Sequence, residues 1–68
     1  MVKHFKFENS AMLNSCSYDE DKEELEVMFT GGKTYTYVDV GKDIYISLIN
    51  ATSAGKYFNS IKKDLKQK

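Results

Sequence analysis

Hydrophobic and polar positions alternate most regularly between Glu24 and Val38, in the run ELEVMFTGGKTYTYV. Leu25, Val27 and Phe29 alternate with Glu26 and Met28, the period-2 pattern of a half-buried strand. Gly31-Gly32 interrupts the run where a hairpin turn needs residues tolerant of positive φ. Thr34 to Val38 then resumes with β-branched and aromatic residues, which fit a pleated surface. The stretch predicts a β-hairpin.

Two registers compete for it. A two-residue loop at Gly31-Gly32 pairs Thr30 with Lys33 and sets Val27 opposite Thr36. Tyr35 and Tyr37 then share a face with Glu26 and Met28. A three-residue loop, Thr30 to Gly32, pairs Phe29 with Lys33 and sets Val27 opposite Tyr35 and Leu25 opposite Tyr37. A one-residue shift flips every side chain, so the two exclude each other. Burying an apolar side chain is worth roughly 1.5–3 kcal/mol, and the second register gathers five of them on one face. That register is favoured, with the tyrosine rings in the core and the hydroxyls toward the rim.

The rest of the chain is arranged around this hairpin. Phe5 and Phe7 alternate with Lys6, which suggests an edge strand over residues 3–7. Residues 11–18, AMLNSCSY, read as a strand with loose alternation, Ser15 and Ser17 lying along one face. Asp19 to Glu23 is a charged turn into the hairpin. After Val40 the period changes. Ile44, Tyr45, Leu48, Ile49 and Ala51 recur at helical spacing, with Asp43 in the first turn where the helix dipole favours it. Thr52-Ser53 offers an N-cap for a second helix, whose apolar stripe is Tyr57, Phe58, Ile61 and Leu65. The predicted fold is α+β: a three-stranded antiparallel meander, four-stranded if residues 3–7 pair, with two helices packed on one face.

Composition sets bounds on this picture. Sixty-eight residues make one domain, and a chain this short buries only about 60% of its unfolded surface. The apolar runs fall far short of the roughly 20 residues of a membrane span. The opening MVKHFKFENS lacks the apolar core of a signal peptide, and the single Cys16 has no partner for an internal disulfide. A cytoplasmic location is the expectation. Net charge is zero but unevenly spread. Asp19 to Glu26 holds six acids against Lys22, and Lys56 to Lys68 holds five lysines against Asp64. Arginine is absent, which removes the bidentate fork that reads guanine and clamps phosphate. Nonspecific phosphate contact by lysine is left open.

Several segments, taken in order, resemble the KTSC domain family. They are Tyr18-Asp19, LEVMF, the glycine turn, Tyr35-x-Tyr37, Ile44-Tyr45 with Leu48, and Ala51-x-Ser53-x-Gly55-x-Tyr57-Phe58-Asn59. The likeness covers about residues 10–61 and centres on the YxY motif. The family is named from the C-terminus of some lysyl-tRNA synthetases and includes stand-alone proteins of bacteria and their viruses. The resemblance implies a small domain, with RNA binding suggested by the synthetase context. Three features depart from the pattern. Gly41 stands where a proline commonly opens the helix, Ser17 stands where glycine is usual, and the tail after Ile61 lacks the usual basic, tyrosine-containing ending.

Phosphate-loop motifs are not satisfied. Gly32-Lys33-Thr34 is followed by a strand and has Val27 at the first glycine position; Gly55-Lys56 has Asn50 and Tyr57 at key positions. A helix start at Ser53, Gly55 and Lys56 could still hold an anion, although an ordinary cap is the commoner reading. One histidine, His4, and one cysteine are too few for zinc, and the acidic run lacks the spacing of a calcium loop. No catalytic set and no cofactor are predicted. The leading expectation is a binding module for RNA or another polyanion, using Lys33, Lys56, Lys62, Lys63 and Lys66 with the edges of Tyr35 and Tyr37. The alternative is a protein-interaction or self-associating accessory protein, viral or bacterial, that caps a host protein or sequesters a small phosphorylated ligand. Phe5 and Phe7 are its candidate interface.

Overall fold

Strand pairing decides which side chains reach the core. The computed structural model describes residues 1–8 and 10–68. In chain order these form β1 (Val2–Lys6), β2 (Leu13–Asp19), β3 (Glu24–Phe29), β4 (Thr34–Val38), α1 (Lys42–Asn50), α2 (Ala54–Ile61) and β5 (Lys66–Gln67). A 3-10 turn at Lys62–Asp64 separates α2 from β5. The strands make one antiparallel sheet in the order β1-β2-β3-β4-β5. The class is α+β, as expected, with five strands rather than three or four. The N-terminal strand pairs within its own sheet, against β2. The fifth strand is short, setting Gln67 opposite Tyr37 and Lys66 opposite Val38. Among the described residues, no helix is long and apolar enough to cross a membrane.

The hairpin adopts the three-residue register. Val27 lies opposite Tyr35 and Leu25 opposite Tyr37. Phe29 N–H donates to Lys33 C=O at 2.8 Å, and Gly32, at φ +94°, supplies the left-handed residue that closes the loop. Leu25, Val27 and Tyr37 are therefore buried, and Phe29 and Tyr35 pack beside them. A bulge explains the loose alternation in β2. Leu13 pairs with Phe29 and Ser15 with Met28, so Asn14 is an extra residue. The insertion lets Leu13, Cys16 and Tyr18 all face the core, while Ser15 and Ser17 turn to the open side.

Both helices cover that apolar face. Tyr45 and Leu48 are the buried residues of α1, and Ala54 and Phe58 those of α2. The Phe58 ring meets Phe29 and Tyr37 edge-to-face, with centroids 5.6 and 5.7 Å apart. Ser53 is the N-cap of α2, its hydroxyl accepting from Lys56 N–H. The helix ends at Ile61, earlier than the apolar stripe suggested, yet Leu65 still packs against the core from beyond the 3-10 turn.

Tyr18 ties the layers together. Its ring stacks on Tyr45 at 5.0 Å, and its buried hydroxyl donates to Val40 C=O at 2.6 Å. Val40 N–H donates in turn to Glu23 C=O at 2.8 Å. The β4–α1 connection is thus fastened to both β2 and the β2–β3 turn. Two residues beside this junction, Glu23 (φ 53°) and Asp39 (φ 57°), adopt left-handed backbone conformations without being glycine.

The two tyrosines separate ring burial from hydroxyl bonding. Tyr37→Ala removes a core ring and is expected to cost about 3 kcal/mol in urea unfolding, and Tyr37→Phe much less. Tyr18→Phe keeps its ring but orphans the Val40 carbonyl, at an expected cost of about 1–3 kcal/mol. A Tyr37→Ala protein as stable as wild type would show that the ring is not core.

Candidate functional site

Charge is the first property the fold rearranges. The acidic β2–β3 turn is held by cations from several parts of the chain. Glu20 Oε1 lies 3.0 Å from Lys42 Nζ on α1 and 3.6 Å from Lys3 Nζ on β1. Lys68, at the end of β5, reaches Glu24 at 3.6 Å, and the Met1 amino group reaches Asp21 at 2.7 Å. Asp19 accepts from the N–H groups of Asp21 and Lys22, closing the turn. The Lys42 ammonium, with Lys3 beside it, holds Glu20 below the usual carboxylate range, and Glu20 raises Lys42 in return. Three of the six acids of the run, Glu20, Asp21 and Glu24, are therefore ion-paired from within.

The candidate binding lysines lie elsewhere. Lys33 sits at the tip of the β3–β4 hairpin, Lys56 on α2, Lys62 and Lys63 in the 3-10 turn, and Lys66 on β5. All five are exposed, and the ion pairs among the described residues engage none of them. Asp64 is the sole acid from Ala54 to the last residue. Lys56, Ser60 and Lys63 follow one another at helical spacing along the solvent face of α2 and the turn after it.

The Tyr35 and Tyr37 rings lie on the helix-covered face. Tyr37 is only 7% exposed and Tyr35 is half-buried. Burial pushes the Tyr37 hydroxyl above its ordinary pKa. The open sheet face presents serine, threonine and charged side chains with the exposed Val2 and Met28 and, among the described residues, no phenylalanine or tyrosine ring. It thus lacks the exposed aromatics on which RNA-binding sheets stack bases. Phe5 and Phe7 are also drawn inward. They pack edge-to-face at 5.1 Å and rest, half-buried, against the chain's own core.

A groove of about 550 Å³ opens between β1 and the start of α2. Phe5, Phe7 and Met12 give it an apolar side, and Ser53 and Gly55 bound it opposite. Gly55 faces Met12, and a methyl group added there would meet Met12 Cβ at 3.6 Å, an ordinary contact. Close packing therefore does not demand glycine at this position. Lys6 and Glu8, of opposite charge, also line the groove, residues the sequence had not singled out because the groove itself exists only in the folded chain.

His4 and Cys16 fall on opposite faces of the sheet. His4 Nδ1 is hydrogen-bonded to Ser17 Oγ at 2.7 Å on the open face. Cys16 is buried on the covered one, where desolvation pushes its thiol up to about 12. Among the described residues, no three His, Cys, Asp or Glu side chains converge as a metal site would require.

The chain is thus a small helix-covered antiparallel meander whose fourth strand carries the Tyr35-x-Tyr37 motif. The KTSC domain matches residues 9–64, and the chain belongs to that family. A protein of Tsukamurella paurometabola is 35% identical over 54 residues, covering 79% of this chain and 81% of the relative. An uncharacterized protein of Stutzerimonas stutzeri is 37% identical over 54 residues, covering 79% and 76%. The crystal structure of a KTSC domain protein from Yersinia pestis superposes with a TM-score of 0.90 at 26% identity, covering 100% of this chain and 96% of that one.

The thiol yields a test with a definite sign. An unfolded Cys16 would ionise near 9, whereas the folded one does so at about 12. Its burial thus adds stability that is present below pH 9 and lost as pH rises from 9 toward about 12. Over that window, stability should fall more steeply for wild type than for Cys16→Ala, measured by urea unfolding. In the native state, a colorimetric thiol reagent should label Cys16 only at the rate of unfolding.

Proposed function

We propose that this chain is a non-catalytic binding module for RNA or another polyanion, using exposed lysines that make no ion pair among the described residues. One observation carries the reading. Lys3, Lys42 and Lys68 pair with Glu20 and Glu24 of the acidic run, and among the described residues no ion pair engages Lys33, Lys56, Lys62, Lys63 or Lys66. A chain of zero net charge can then still present a basic surface. With Tyr37 buried and Tyr35 half-buried, backbone phosphate contact by the lysines is favoured over base stacking. With no arginine, recognition by charge rather than by base sequence follows.

The same geometry supports a phosphorylated small ligand less well. Ser53 already accepts from Lys56 N–H, so the cap of α2 is satisfied from within the chain. Phosphate contact spread over several exposed lysines suits an extended polyanion better than a single small anion.

Titration of labelled single-stranded RNA across a salt series tests this. Affinity should fall steeply as salt rises, because each neutralised phosphate releases counterions. The double variant Lys62→Glu, Lys63→Glu should abolish binding while leaving the unfolding curve unchanged. Absence of binding even at low salt would overturn the reading.

A further inference from the structure

The sheet ends at β1, and that edge has no neighbour among the described residues. Phe7 N–H donates to Asn14 C=O and Glu20 N–H to Met1 C=O, which fixes the alternation along the strand. Lys3 and Phe5 bond inward to Tyr18 and Cys16, so Val2, His4 and Lys6 direct their main-chain groups outward. β1 pairs with β2 without a register shift and holds no proline. It therefore lacks two of the devices that commonly blunt a sheet edge, the bulge and the proline. Its lysines are a third device, and they act by selecting a register rather than by closing the edge.

A second copy of β1, laid antiparallel across this edge, can be centred on different residues. Centred on Lys3 or on Lys6, it sets two lysines directly against each other, which is unfavourable. Centred on Phe5, it opposes His4 to Lys6 and leaves Val2 without a partner in β1. Centred on His4, it pairs Val2 with the partner's Lys6, His4 with the partner's His4, and Lys6 with the partner's Val2, so every outward group is used. Lys3 then lies opposite the partner's Phe5, and its ammonium keeps Glu20 as counter-charge. The same register accounts for exposed apolar surface. Met1 (82%) and Val2 (50%) are the most exposed large hydrophobic residues among those described. Opposed residues share a face, so Met1 comes to rest on the helix-covered side against the partner's Phe7, a wall of the 550 Å³ groove. The groove carries Lys6 and Glu8, whose charges cancel, and so favours a neutral side chain. A methionine thioether packs well against a ring edge.

We propose that β1 is the interface of a symmetric dimer, in which two copies pair antiparallel about His4 and seat their Met1 side chains against each other's Phe7. The two-fold axis stands normal to the sheet. Two five-stranded sheets thereby join edge to edge, with both helix layers on one side. None of the lysines assigned to polyanion binding lies in β1, so the interface stands or falls apart from that reading. The contact is smaller than a standard interface of about 1,600 Å², so dimers form at about 100 μM rather than at nanomolar concentration.

Sedimentation of the full chain across a concentration series reads the dimer, and amide hydrogen exchange reads the edge. Dimers should accumulate, and exchange at Val2, His4 and Lys6 should slow, as concentration rises. A charge swap reads the register. Val2→Lys sets a lysine against the partner's Lys6 and should weaken dimerisation about tenfold. Adding Lys6→Glu to that variant turns both contacts into opposite-charge pairs and should restore dimers. Positions 2 and 6 lie too far apart along one strand to compensate within a chain, so restoration reports the pairing between copies. Unfolding curves at about 1 μM, where the chain is monomeric, should be the same for both variants and wild type. A chain that stays monomeric at about 1 mM would overturn the proposal. So would a double variant that dimerises no better than Val2→Lys, or dimers whose three edge amides exchange as fast as in the monomer.

Discussion

The parity of the β3–β4 hairpin governs everything placed on it. Its three-residue loop sets Leu25 opposite Tyr37 and Val27 opposite Tyr35, so four large side chains share one face with Phe29. Only that face is apolar enough to hold two helices whose apolar stripes are themselves narrow. α1 has Tyr45 and Leu48 as its buried residues, and α2 has Ala54 and Phe58. A shift by one residue would offer those helices glutamate, methionine and threonine instead. The tyrosines of the YxY strand are thus first of all packing residues. Their chemistry as phenols is secondary to the area their rings bury.

Much of this was legible from local pattern. The hairpin, its register and both helices follow from periodicity, a glycine turn and a serine cap. Burial energy was enough to choose between the two registers. The bulge at Asn14 was visible only as weak alternation, because one inserted residue breaks a period without announcing where. β5 left no such trace. Lys66 and Gln67 carry no apolar period, and they pair because Leu65 is anchored on the core just before them. The end of α2 was misplaced for the same reason, since Leu65 fits a helical stripe and a turn equally well.

The candidate sites were less legible than the fold. Charge runs could be counted, but not which charges would cancel. Lys3, Lys42 and Lys68 are far apart in sequence and meet the acidic turn only once the sheet and α1 are assembled. What the runs alone suggested, a basic tail opposed to an acidic loop, is modified by Lys68, which crosses to the acidic side. Tyr35 and Tyr37 could be read as binding residues or as core residues, and the register assigns them to the core. The groove has lining from the first strand and the second helix, so no single segment could have revealed it.

Strand order has a consequence for how the chain reaches this structure. Every strand pairs with its neighbour in sequence, and three of the four pairings close over short connections. Loop-closure entropy is small for such steps, and topologies rich in local contacts fold quickly. The chain has no proline, so no prolyl isomerisation can delay it. The β4–β5 pairing is the exception, because it must wait for two helices to fold back across the sheet. That pairing spans only two residues, so the most distant closure rests on the smallest ladder. Assembly of the first four strands and release of the last are therefore separable events, and the C-terminal strand is the natural first point of opening in the native state.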